Sequence, residues 1–104
     1  MIVEQRDYHV FTGRLNELVK LYETEGIELQ QSHLGNLIGV FTTDVGALST
    51  YTSLWGYSSY AEREQRRAKL QADERWQAFL ARIQPLIHTQ QNRILIPTSF
   101  SPIR

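Results

Sequence analysis

Apolar side chains fall along this chain in two patterns, short runs rich in strand formers in four stretches and helical periodicity in two, which predicts four strands and two helices. Ile2 to Val10 is rich in strand formers and stops before Thr12-Gly13, where Thr12 is placed to cap a helix and Gly13 relaxes the turn. Leu15, Leu18, Val19, Tyr22 and Gly26 then recur at helical spacing, with Asn16, Glu17, Lys20, Glu23 and Glu25 on the opposite face. The polar, aperiodic Gln30-Gln31-Ser32-His33 predicts a loop. Leu34 to Thr43 carries apolar groups on both alternation classes, Leu37 and Phe41 against Ile38 and Val40. Asp44-Val45-Gly46-Ala47 supplies a turn with a glycine for a positive φ, and Leu48 to Tyr57 returns with Tyr51, Trp55 and Tyr57 on one parity and Thr50, Thr52 and Leu54 on the other. This central hairpin, from Leu34 to the Ser-Ser at the next helix start, sets the order of the whole chain.

Ser59-Tyr60-Ala61-Glu62 fits a capping box, in which the Ser oxygen and the Glu carboxylate reciprocally satisfy backbone N–H groups. The charged AEREQRRAKL follows, then a break or second cap at Ala72 to Arg75, then an apolar stripe of Trp76, Phe79, Leu80, Ile83, Leu86 and Ile87. Pro85 ends the regular helix near Gln84, Asn92 to Pro97 is a last strand put at a sheet edge by its proline, and the tail TSFSPIR must dock or fray.

A βαββαβ order with right-handed crossovers leads to an α+β, ferredoxin-like domain spanning residues 1–104, an antiparallel sheet in spatial order 4-1-3-2 with two helices on one face. Because strands beyond the first carry apolar groups on both parities, the second face also needs cover, and a chain of 104 residues has no third layer to offer. A second subunit is the simplest cover, so the pattern predicts a homodimer packed through the sheet faces.

Composition narrows the function classes. There are no cysteines, which excludes disulfides, thiolate metal sites and a Cys nucleophile. Eleven basic residues balance eleven acidic ones, which argues against nucleic acid as a partner, but residues 1–52 hold three basic and seven acidic side chains and residues 53–104 hold eight and four. An acidic first helix facing a basic second one accounts for the asymmetry. No apolar run reaches the roughly 20 residues of a membrane span and the N-terminal residues lack the pattern of a signal peptide, so a cytoplasmic protein is expected.

Several short patterns occur in a telling order: Glu4, Arg6 and Tyr8 as an E-x-R-x-Y strand; a Thr-Gly-Arg turn at Thr12 to Arg14; Gly39 followed by a strand and the Gly46 turn. Leu54-Trp55 with Tyr57 closes the third strand, Arg63, Arg66 and Arg67 follow, and Phe100 to Arg104 reads F-S-P-I-R. Together these resemble the NIPSNAP proteins, small members of the dimeric α/β-barrel superfamily, over essentially the whole chain, although the family's usual Pro-Gly-Lys type turn is Thr-Gly-Arg here. The resemblance implies the same ferredoxin-like fold and dimeric α/β barrel. It implies no reaction, since the family has no settled activity or catalytic set. The wider superfamily includes cofactor-free monooxygenases, polyketide cyclases, stress-response barrels and haem enzymes, and fold alone does not choose among them.

Arg6, Tyr8, Trp55 and Tyr57 form the candidate ligand site, because the first and third strands should be neighbours. Arg6 is suited to an anion or carboxylate, and Tyr8 or Tyr57 to donating a hydrogen bond to a ligand oxygen, in a pocket between sheet and helices. The competing reading has Trp55 and Tyr57 filling the core or dimer interface and Arg6 paired with Glu4, Asp7 or a partner carboxylate. Parity leaves open which face they take. His9, His33 and His88 lack metal-ligand spacing, so no metal is expected. The basic run Arg63, Arg66, Arg67, Lys69, Arg75 and Arg82 fits a solvated face pairing with Glu62, Glu64 and the acidic helix better than a phosphate or nucleic-acid surface, and an RNP1 pattern is missing. With no Gly-rich phosphate loop and no G-x-S-x-G elbow, no cofactor is implied. The expected function is a dimer of undefined activity that binds a small apolar or aromatic molecule. The alternative is a cofactor-independent monooxygenase or cyclase-type enzyme, and an RNA-binding module is a weaker third.

Overall fold

In the computed structural model, which describes residues 1–104, strand β1 (Ile2–Val10) leads into helix α1 (Leu15–Leu21), a π-helical turn (Tyr22–Gly26) and α2 (Ile27–Leu34). Strands β2 (Asn36–Thr42) and β3 (Thr50–Tyr57) form the hairpin, α3 (Tyr60–Ala72) and α4 (Glu74–Ile83) follow, and a short 3-10 turn (Gln84–Leu86) delivers β4 (Ile87–Leu95). The sheet is antiparallel with order β2-β3-β1-β4, the expected 4-1-3-2 seen from the other edge.

Register decides which side chains meet. Opposed residues share a face, so the pairs Glu4 with Trp55, Tyr8 with Tyr51, Arg6 with Asn92 and Tyr8 with Gln90 put all of these on one side. That side is covered by the helices: Ile2, Tyr8, Val10, Tyr51, Trp55 and Tyr57 join Leu18, Tyr22, Leu34, Leu70, Trp76, Phe79, Ile83 and Leu86 in one buried core. Aromatic rings run through it, Tyr8 over Tyr51, Tyr51 over Tyr22 at 4.7 Å, and Tyr22 edge-on to Phe79. The opposite parity, including Gln5, Asp7, His9, Thr52 and Leu54, faces away from the helices.

Local chemistry explains most boundaries. Ser59 Oγ accepts from the Glu62 N–H at 3.1 Å, and the Glu62 carboxylate reaches back to the Ser58 hydroxyl at 2.6 Å, one residue earlier than a standard capping box. The break at Asp73 is extended, and its carboxylate caps α4 by accepting from the Arg75 N–H at 2.9 Å. Pro85 sits just past the end of α4, as its missing N–H requires.

Four expectations are corrected. Thr12 is not the cap of α1; Arg14 occupies that position with no side-chain bond, and the chain turns through Gly13 at φ +84° instead. Gln30 to His33 are helical, because Gln30 and Leu34 are both buried one turn apart and the helix stops only at Gly35, whose φ of +88° no β-carbon tolerates well. The hairpin loop is longer than the expected four-residue turn, running from 43 to 49, with Gly46 at φ +125° and Ser49 at φ +56°. Strand β4 starts at Ile87 rather than Asn92, its first half disguised by the exposed polar run from His88 to Arg93. The tail does not fray: Ser101 and Ile103 lie with Ile96 and Pro97 against Val3, Ile38, Leu54 and Leu95 on the helix-free face. No helix is long and apolar enough to cross a membrane.

Gly26 closes the π-helical turn directly beneath the Phe79 ring, where an added β-carbon would collide with the ring atoms. Gly26→Ala should cost about 1–3 kcal/mol, read as a lower midpoint in urea denaturation. Combined with Phe79→Leu, which shortens the opposing side chain, it should lose less than the two single changes together; strict additivity would refute the steric account.

Candidate functional site

Glu4 lies at the centre of the polar layer between sheet and helices. Its side chain is fully buried, and four donors satisfy it: Arg63 Nε and Nη2 at 3.1 and 2.8 Å, Arg6 Nη1 at 3.1 Å and Asn92 Nδ2 at 2.8 Å. Burial by itself would raise the Glu4 pKa, but the hydrogen bonds of Arg63 and Asn92 and the charges of Arg6 and Arg63 prevail and hold it at about 2. The carboxylate thereby joins β1, the first turn of α3 and β4. Arg6, nearly buried, also donates from Nε to Tyr8 Oη at 3.1 Å and lies 5.7 Å from the centre of that ring. Burial works against its charge, and Tyr8 and Glu4 more than restore it, so its pKa is raised.

Two cavities open beside this cluster. One, of about 280 Å³, is bounded by Arg6, Tyr8, Arg63, Arg67, Gln90, Gln91 and Asn92. The other, of about 200 Å³, runs toward α4 between Leu70, Trp76, Leu80, Ile83 and Ile87, with Gln30, Gln71 and Gln84 among them. Arg6, Tyr8, Arg67 and Gln90 belong to both walls, so the two form a polar and an apolar end of one cleft. Arg67 is the exception to the local pairing: burial, then the charges of Arg6 and Arg63, push its pKa down, the Glu4 charge offsets them only in part, and Arg67 donates no hydrogen bond to a carboxylate. Three guanidiniums therefore face a single carboxylate.

Of the residues singled out from sequence, Arg6 and Tyr8 stand on the cleft wall. Trp55 and Tyr57 share their face of the sheet but are buried in the core and line neither cavity. The Trp55 indole donates to Ser53 Oγ at 3.1 Å, and the buried Tyr57 hydroxyl has no partner. The three histidines are scattered: His9 bonds Thr50 on the helix-free face, His33 meets Asp73 at 2.9 Å where α2 ends and α4 begins, and His88 packs edge-on to Phe11. The basic run divides. Arg82 pairs with Glu25 of the acidic first helix and Arg66 reaches Glu62 and the His33 carbonyl, whereas Arg63 and Arg67 point inward. A signal for this was present in the sequence: Arg63, Arg67 and Leu70 stand at i, i+4 and i+7, and the stripe that buries Leu70 carries both arginines toward the sheet.

The NIPSNAP family model matches residues 3–102. The chain is 41% identical over 68 residues to the human protein NipSnap homolog 3A, an alignment covering 65% of this chain but only 28% of that protein. The crystal structure of a NIPSNAP family protein from Agrobacterium tumefaciens superposes with a TM-score of 0.97 at 51% identity, covering 99% of this chain and 98% of the other. An antibiotic biosynthesis monooxygenase superposes with a TM-score of 0.65 at 10% identity over 94% of this chain and 99% of its own, a likeness of fold.

The Glu4 cluster sets an acid dependence of stability. A carboxyl held at about 2 in the folded chain and near its ordinary 4.5 when unfolded stabilises fully above pH 5 and progressively less as pH falls toward 2. Glu4→Gln should lower stability at pH 7 by about 3–5 kcal/mol, since two guanidiniums lose their counter-charge. It should also flatten the dependence between pH 5 and 2.5 in urea denaturation, whereas parallel profiles for the two proteins would rule this role out.

Proposed function

The chain belongs to the NIPSNAP family, and on that premise and the geometry of the cleft we propose that it acts as a homodimer binding one small molecule between sheet and helices in each subunit. The observation that carries this is the cleft itself, where three arginines, Tyr8, Gln90 and Asn92 converge beside an apolar wall. A few directed polar groups against an apolar lining is the usual composition of a small-molecule site. Arg6 and Tyr8 bind the ligand; Trp55 and Tyr57 act beneath it as rigid support.

Dimerisation is supported by shape. The body is flat, 40 × 35 × 20 Å, with a radius of gyration of 14.0 Å where about 13 Å is ordinary for this length. Its 6520 Å² of surface exceeds the about 6,000 Å² of a compact monomer of 12.1 kDa. The helix-free face holds Ile38, Leu54 and Leu95 in an apolar patch that the C-terminal tail covers only in part, with Phe41, Ile96 and Phe100 exposed around it. A second copy laid face to face covers that patch and completes a two-sheet core.

A second reading, a cofactor-independent enzyme, is favoured by one contact. Arg6 donates to Tyr8 Oη on the cleft wall, a bond that does not use the phenolic proton, so Tyr8 is the residue such an enzyme would use as its general acid.

Light scattering at micromolar concentration should give twice the chain mass, and Leu54→Asp, on the face away from the cleft, should give the chain mass. A screen of small organic molecules by nuclear magnetic resonance should shift the Trp76 and Tyr8 signals. Hits confined to the helix-free face would remove the cleft from consideration. Tyr8→Phe should leave binding within a few-fold in the binding reading and abolish turnover of any substrate found in the enzymatic one.

A further inference from the structure

Resting on that binding reading, we propose that the ligand is an amphipathic oxyanion, a carboxylate or phosphate head on a one- or two-ring aromatic or comparable apolar body, with the head on Arg67 and the body against Trp76, Leu80, Ile83 and Ile87.

Charge locates the head. Glu4 is already shared between Arg6, Arg63 and Asn92 and makes no bond to Arg67. Arg67 stands beside these two cations half-buried and unbonded, with its charged form disfavoured first by burial and then by its neighbours. An uncompensated guanidinium in such a place costs stability unless an anion arrives, and its planar fork matches a carboxylate or phosphate in a bidentate contact. Gln90 and Asn92 of β4 and the Tyr8 hydroxyl line the same end and can donate to further oxygens.

Shape and polarity locate the body. The cleft changes character past Arg67, where Leu70 and the α4 residues replace the arginines. Trp76, held by stacking on Phe79 at 5.3 Å, gives a rigid aromatic wall. Its volume of about 200 Å³ bounds the body, since a cavity of roughly 150 Å³ is enough for benzene. Neither end alone would select a ligand well: simple inorganic anions leave the apolar wall wet, and neutral aromatics leave Arg67 unpaired.

The test titrates the purified protein with 1-naphthoate, 1-naphthyl phosphate and 1-naphthol, following Trp fluorescence and the Trp76 indole resonance. At least one of the two anions should bind ten-fold or more tightly than naphthol, and the tighter one identifies the head. Arg67→Met should erase that preference while keeping naphthol binding, and should keep or raise the melting temperature because it removes an unneutralised charge. Arg67→Lys should retain part of the preference. If naphthol binds as well as both anions in the wild-type protein, or if Arg67→Met keeps the preference, the oxyanion proposal is overturned and the cleft remains a site for neutral molecules. If none of the three perturbs Trp76, the binding reading beneath it falls as well. The wild-type comparison stands whether or not the variants fold.

Discussion

A single buried carboxylate holds the polar layer of this protein in order. Glu4 sits opposite Trp55 in the central strand pair and receives hydrogen bonds from β1, α3 and β4 at once. Its ionised state is affordable only because every donor is in place, and each donor owes its position to a different element. The first turn of α3 must be capped by Ser59 for Arg63 to reach it, and β4 must pair in register for Asn92 to do so. Helix, edge strand and central strand are thus coupled through one side chain. The same saturation of Glu4 is what leaves Arg67 free, so the tie that stabilises the fold also creates the charge imbalance in the cleft.

The order of elements was legible because its signals are local. The Ser59 cap, the Asp73 break and Pro85 each act on backbone groups within a few residues of themselves. Where tertiary packing chose the structure, the sequence was silent or misleading. Gln30 is polar but occupies a buried helical position, which broke the apparent periodicity of α2. β4 is an edge strand with most of its side chains exposed, so its first half lacked the apolar alternation that marks a strand.

The cleft was half legible for a related reason. Arg6 and Tyr8 are two residues apart on one strand, and parity alone puts them together. Trp55 and Tyr57 obey the same parity, but register sets Tyr51 opposite Tyr8 and moves the other two toward the far end of β1, under the helices. That offset depends on the pairing of strands distant in sequence, which composition does not reveal. Arg67 was hidden by resemblance to its neighbours: in a run of basic residues, only the rotation of α3 about its axis distinguishes an inward guanidinium from a solvated one.

The π-helical turn from Tyr22 to Gly26 carries one residue more than an α-helical path would need, and everything in α2 is phased by it. In α-helical geometry each residue advances the face by about 100°, so the surplus residue is what keeps Gln30 and Leu34 turned to the core and brings Gly26 under Phe79. Chain length in this segment is therefore not a loop-like freedom. A one-residue deletion there would leave the composition of the helix almost untouched yet rotate its whole buried stripe, and with it the Gln30 wall of the cleft, out of alignment with the sheet.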